Sequence, residues 1–207
     1  MVISGTIAEH DYIDLGLPSG SLWATYNIGA KKVSELGDYF SWTEVTPKNE
    51  HSWWNLKYYD YDNFQFTKYC TISRNGVIDD ITTLEPQDDV ATVSWSDAWR
   101  MPTIEEIKEL IENCEWKWTD NYDETGVKGY VGVSKLNNNS VFLPAAGDFE
   151  GTSLLSGGMG CYWTSSLIKG YNEYAYCFFF NKNTSCICDD VSRFIGASVR
   201  AVVNRIV

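Results

Sequence analysis

Gly160-Cys-Tyr-Trp-Thr-Ser-Ser166, Tyr174-Ala-Tyr-Cys-Phe-Phe-Phe180, Ser185-Cys-Ile-Cys188 and Gly196-Ala-Ser-Val-Arg-Ala-Val202 are the words from which the fold is read. Side chains alternate across a strand, so Tyr174, Tyr176, Phe178 and Phe180 share one side, and Ala175, Cys177 and Phe179 the other. The polar run Asn181 to Thr184 predicts a turn. With Phe180 opposite Ser185, the hairpin register sets Phe179 against Cys186 and Cys177 against Cys188. Cβ atoms facing one another across such a pair are about 4.5 to 5.5 Å apart, slightly wide for a disulfide. One side reads as core. The other, carrying Cys177, Phe179, Cys186 and Cys188 and running into Asp189-Asp-Val-Ser192, reads as a recognition surface, since clustered aromatic and mixed polar residues suit binding. A sheet buried on both faces is the alternative.

Working back from the hairpin, Ala197 to Val203 predicts a terminal strand, and the Gly- and Ser-rich stretch Gly147 to Gly160 predicts a loop. Gly129 to Ser134 and Ser140 to Leu143 pair around Asn137-Asn138-Asn139, whose side chains tolerate turn geometry. Trp116 and Trp118 alternate on a strand. A helix is expected from Thr103 to about Cys114: Thr103 and Glu106 have capping-box spacing, and Ile104, Ile107, Leu110, Ile111 and Cys114 form one stripe. A shorter helix is expected over Asp88 to Val93. Glu44 to about Pro86 reads as a long loop packed down by its own aromatics, Trp53-Trp54 and Tyr58-Tyr59-Asp-Tyr61 among them. Gly37 to Trp42 reads as a short strand. Nearer the start, two strands flank the Pro18-Ser19-Gly20 turn, the second through Leu22-Trp-Ala-Thr25.

The 207 residues suffice for one domain with a sizeable core. Nine Trp, thirteen Tyr, nine Phe and sixteen Gly predict short strands and large loops in place of a helical bundle. A formal charge of −12 would repel a phosphate backbone, so nucleic acid is not an expected partner. The chain has no apolar run of membrane-spanning length, and Met1 to Gly29 lacks the pattern of an export signal.

Six cysteines without paired spacing and two histidines do not predict a zinc site, and no cofactor is implied. Asp79, Asp80, Asp88 and Asp89 read as solvated loop charge in preference to a cation site. His10 and His51 read as lone surface histidines, and Trp99-Arg100 as a packing and loop-bonding pair. No Ser-His-Asp or paired-carboxylate arrangement is legible, and Cys186 and Cys188 lie too close on one strand to form an oxidase-like pair; no enzyme is expected.

Six words occur in order: Tyr12-Ile-Asp-Leu-Gly-Leu-Pro-Ser-Gly-Ser-Leu-Trp-Ala-Thr25, Gly37-Asp-Tyr-Phe-Ser-Trp42, Trp99-Arg-Met-Pro-Thr103, Phe142-Leu-Pro-Ala-Ala-Gly147, Tyr162-Trp-Thr-Ser-Ser166 and Ser198-Val-Arg200. Together, from Tyr12 to Val202, they resemble the Fibrobacter succinogenes major paralogous domain family of gut Bacteroidetes. The resemblance implies a single α+β domain with a C-type-lectin-like fold of the formylglycine-generating-enzyme type, built from short antiparallel strands, one or two helices and long loops. It also implies kinship with the variable proteins of diversity-generating retroelements, in which frame residues persist while ligand-facing residues change. On that pattern Tyr162, Trp163, Ala175, Tyr176, Phe178, Phe180, Arg193, Gly196, Ser198, Val199 and Arg200 match the frame. Tyr174, Cys177, Phe179, Cys186, Cys188, Asp189, Asp190, Val191, Ser192, Phe194 and Ile195 fall at ligand-facing positions. The family more often carries Gly at the place of Cys161 and Pro at that of Ala201, and the loop motifs of calcium-dependent sugar binding are missing.

The function these readings imply is non-enzymatic recognition of a protein or glycan ligand on another cell or surface. The setting would be extracellular, at a cell surface or on a phage virion. The alternative is a structural or assembly module of a surface fibre or pilus.

Overall fold

Mostly antiparallel β-structure with two short helices is what these residues build, in a computed structural model that describes residues 3–155 and 158–204, with the backbone alone over 185–190. In chain order the strands begin β1 (Gly5–Ile7), β2 (His10–Asp14), β3 (Leu22–Ala24), β4 (Tyr59–Asp60), β5 (Gln65–Phe66) and β6 (Trp99–Arg100). They continue β7 (Cys114–Tyr122), β8 (Val127–Ser134), β9 (Ser140–Pro144), β10 (Asp148–Glu150), β11 (Ser153–Leu155) and β12 (Met159–Leu167). The last are β13 (Tyr174–Asn181), β14 (Thr184–Ser192) and β15 (Val202–Val203); the helices are α1 (Val90–Ser94) and α2 (Ile104–Asn113).

Three sheets position everything else. The largest has the order β1-β2-β3-β15-β6, so the terminal strand is inserted between N-terminal and mid-chain strands and ties the ends of the domain together. A second runs β7-β8-β9 and a third β12-β13-β14. The third sheet has the expected register: Phe180 faces Ser185, Phe179 faces Cys186 and Cys177 faces Cys188. Its two faces enter different cores. Cys161, Trp163, Leu167, Ala175 and Cys177 join one cluster with Trp42, Tyr69 and Trp99, whereas Tyr162, Phe178 and Phe180 join a second with Trp23, Ile107 and Leu110. Each large apolar side chain sealed in this way contributes about 1.5 to 3 kcal/mol.

Helix α2 forms where its signals are written. The Glu106 backbone N–H donates to Thr103 Oγ1 at 3.3 Å, and the Thr103 N–H donates back to Glu106 Oε2 at 2.9 Å. Ile104, Ile107 and Leu110 turn into the core while Lys108 is exposed. Asp89 caps α1, accepting from the N–H groups of Ala91 and Thr92 at 2.9 and 3.2 Å.

Three expectations are corrected. Gly37 to Trp42 makes only a single bridge, Phe40 to Ala197, because its backbone groups bond to Ile28, Ala197 and Arg193, which belong to no one strand. Ala197 to Val203 is regular strand only at β15, since Ala197 and Ser198 bridge separately to Phe40 and Tyr162. Within the Gly147 to Gly160 stretch, Asp148 to Leu155 folds as the β10–β11 hairpin; Gly151, at φ +59°, supplies the left-handed turn residue that a side chain would strain.

Candidate functional site

Arg193 fixes the segment in which the expected recognition residues lie. Its side chain is wholly buried, with the guanidinium 4.4 Å from the Phe66 ring and 4.8 Å from the Trp42 ring. Nη1 donates to the carbonyls of Asn172 and Tyr69 at 3.0 and 3.3 Å, and burial lowers the group to a pKa of about 9. The Arg193 N–H donates to Glu173 O and its carbonyl accepts from Trp42 N. With Arg193 held inward, the residues on either side, Ser192 and Phe194, are left partly exposed.

Phe194 is fastened by its backbone. Its carbonyl accepts from Ser41 Oγ at 2.6 Å, and that hydroxyl lies 2.9 Å from His51 Nδ1. His51 is buried, contrary to its reading as a surface histidine, and burial lowers its pKa to about 4. Its backbone pairs with Gly151, and its ring packs so closely on Gly196 that a Cβ there would lie 2.6 Å from it. Gly196 is therefore required for contact, not for an unusual φ. The Phe194 ring lies 5.0 Å from Trp53, which also meets Tyr59 at 4.9 Å and Phe66 at 6.0 Å.

These contacts open an aromatic cleft of about 390 Å³ lined by Trp53, Trp54, Tyr61, Glu150 and Phe194. Trp54 is 57 % exposed and Tyr61 48 %, so both rings have free faces. Nearby, Phe64 is 68 % exposed and lies 5.8 Å from Tyr61. Sequence reasoning treated Trp53-Trp54 and Tyr61 as loop packing. No local signal separates them from the packed aromatics, since adjacent rings can both be buried, as Tyr162 and Trp163 are.

The expected site residues divide by burial. Tyr174, Phe179, Val191, Ser192, Phe194 and Ile195 are partly exposed. Cys177 is wholly buried among Trp163, Leu167 and Ala175, so it cannot touch a ligand; alternation alone did not reveal that both faces of β13 are covered at this point. The side chains of Cys186, Cys188, Asp189 and Asp190 lie outside the described residues, and with them the possible Cys177 to Cys188 bridge. The residues assigned to the frame are buried, Tyr176 alone being partly exposed.

Elsewhere, charged groups are consumed by structure. Asp88, read as loop charge, is wholly buried and accepts from Lys57 Nζ at 2.7 Å, Lys68 Nζ at 2.5 Å, Tyr58 OH at 2.8 Å and Tyr69 OH at 2.7 Å. Burial would raise its carboxyl, but these bonds outweigh that and hold it at about 2. Asp89 is likewise buried, capping α1 and accepting from Met101 N at 2.8 Å. A second cavity of about 380 Å³ beside Asp89 and Arg100 presents groups already bonded, since Arg100 holds Glu106 through two bonds of 2.6 Å. Among the described residues no group of three or more His, Cys, Asp or Glu side chains is placed to hold a metal ion, and no helix is long and apolar enough to cross a membrane.

No family model matches the chain, and no curated protein or solved structure is detectably similar to it.

Proposed function

We propose that this chain is a non-enzymatic ligand-binding domain, an adhesin or receptor-recognition module working at a cell surface or on a virion. Its contact surface is formed by Tyr174, Phe179, Val191, Ser192, Phe194 and Ile195 together with the aromatic cleft. The observation that carries this reading is the sharing of one open cleft by Phe194, from the C-terminal segment, with the exposed Trp54 and Tyr61. Rigid aromatic rings supply contact area at small entropic cost, and the buried Arg193 and His51 beneath them hold the surface in its binding shape. The ligand is a protein or a glycan that is not polyanionic, because a chain of charge −12 repels one. The resemblance to the Fibrobacter succinogenes major paralogous domain family and the C-type-lectin-like variable proteins, with diversification by a retroelement, belongs to this proposal. It rests on the six ordered sequence words and on the burial of the frame residues beside the partial exposure of their neighbours.

Probing an immobilised glycan array and a panel of cell-surface ectodomains with the purified domain tests the reading. A hit should weaken at least tenfold in Trp54→Ala and in Phe194→Ala, with Lys108→Ala on α2 unaffected. Binding indifferent to both aromatic substitutions would refute the assigned surface.

A second reading has its own support: Leu154 and Leu155 on β11 are 48 % and 39 % exposed, an apolar pair that a neighbouring chain in a fibre would cover. Light scattering of the isolated domain separates the two, since an assembly module should form a defined oligomer that Leu154→Lys disperses.

A further inference from the structure

Cys161 on β12 and Cys177 on β13 place their Sγ atoms 2.6 Å apart. The register explains the meeting. Cys161 pairs with Phe179 and Trp163 with Cys177, so the two cysteines are diagonal neighbours on one face of the sheet. Irregularities follow Trp163 on one side of β13 and flank Cys177 on the other, and such bulges sharpen the local twist that draws one diagonal together. Both side chains are buried, at 1 % and 0 % exposure. Unbonded carbon atoms already keep about 3.5 to 4.0 Å between them, and sulfur is larger, whereas a disulfide is about 2.05 Å long. The pair thus stands inside non-bonded contact and about half an ångström from covalent length.

The other described cysteines are placed apart from this pair. Cys70 Sγ donates to Ile72 O at 3.3 Å and accepts from Asn172 Nδ2 at 3.0 Å, and Cys114 lies in the second core, where burial raises its thiol to about 11. We propose that Cys161 and Cys177 are joined by a disulfide when the chain folds in an oxidising medium. The oxidant is a small-molecule disulfide such as oxidised glutathione. One protein thiolate attacks it and releases one glutathione thiolate; the second protein thiolate then attacks the mixed disulfide and releases the other. Two protein thiols lose two protons and two electrons in total, and one oxidised glutathione becomes two reduced ones. Because both sulfurs are sealed in the finished core, the bond closes while β12 and β13 are pairing, before Trp163 and Leu167 are covered. It cross-links β12 to β13, the strand that carries both Tyr174 and Phe179, and so stiffens the sheet beneath the surface proposed above.

The chain carries a convenient map for the test. Lys169 lies between Cys161 and Cys177, and Lys182 between Cys177 and Cys188, so trypsin separates all three cysteines. The full chain is refolded from denaturant in a glutathione redox buffer, alkylated in denaturant and digested without reduction. The expected product is the Cys161 peptide joined to the Cys177 peptide, a species that disappears on reduction. In the native protein the bond should survive a reductant that cuts it in denaturant. The oxidised form should also melt several degrees above the same chain refolded under reducing conditions, with no such gap in Cys161→Ala. Recovery of both peptides alkylated after oxidative refolding overturns the proposal, as does a map joining Cys177 to Cys188. The wild-type map decides the matter even where the variant fails to fold.

Discussion

Arg200 is a buried guanidinium that makes four hydrogen bonds. Its Nε and Nη2 donate to Asn27 Oδ1 at 3.0 and 2.8 Å, and its Nη1 donates to the carbonyls of Ala24 and Thr25, both at 3.1 Å. Burial lowers its pKa to about 10, still high enough for the charge to persist at neutral pH. Only a planar fork of donors satisfies acceptors spread in this way; an ammonium keeps the charge and loses the geometry. Arg200→Lys should therefore cost about 3 kcal/mol in a urea titration, and a loss below about 1 kcal/mol would show that the fork is dispensable. Arg193 differs in kind. It is held chiefly between the Phe66 and Trp42 rings, and Nε and Nη2 have no hydrogen-bond partner among the described residues. In the sequence the resemblance sets both arginines among the frame residues; beyond that, only Arg200 has a local mark, closing the small and apolar run Gly196-Ala-Ser-Val199, all of it buried.

The segment between Trp42 and Pro86 shows why some elements are legible in a sequence and others are not. The α2 helix is read directly, because cap, stripe and length lie within one short window. The same holds for the β13–β14 hairpin, whose register follows from its turn. The long aromatic segment has no such period. Its order comes from a carboxylate distant in sequence: Asp88 gathers Lys57, Tyr58, Lys68 and Tyr69 from two separate stretches of the chain. No local pattern could have indicated that Asp88 is buried, or that Trp54 and Tyr61 remain open. Asp88→Ala removes the common acceptor and leaves four donors to find water, so it should cost about 3 kcal/mol or more. The loss should be concentrated in this segment. Hydrogen exchange of the Phe66 to Cys70 amides should accelerate while exchange in β8 stays slow, and uniform acceleration across the chain would refute a local hub.

Across the molecule, four buried or half-buried groups set how stability depends on pH. Asp88 and Glu106 are both held at about 2, in each case by hydrogen bonds that outweigh burial, from Lys57 and Lys68 for the first and from Arg100 and Ser21 for the second. Their ordinary values are 3.8 and 4.5, so the unfolded chain binds protons first, and their contribution, on the order of 2 kcal/mol each, is present above pH 4.5 and lost as pH falls towards 2. His51 acts over a higher range. Lowered from 6.5 to about 4 by burial, it is protonated first in the unfolded chain, so it removes stability as pH falls from 6.5 to 4. Asp148 opposes it. Burial, with Glu150 close by, raises its carboxyl from 3.8 to about 6; its Oδ1 has no hydrogen-bond partner among the described residues, and the folded state takes up the proton first. Stability from this group therefore rises as pH falls from 6 to about 4. The wild-type melting temperature should accordingly be nearly flat between pH 6.5 and 4.5 and drop steeply below 4. Asp148→Asn removes the opposing group. At pH 7 the variant should be more stable by about 1 kcal/mol, a figure reduced from the full shift because the carboxyl is partly solvated. Its melting temperature should then decline steadily from pH 6.5 downward, following His51 alone. A variant that keeps the flat region would show that His51 and Asp148 do not offset one another.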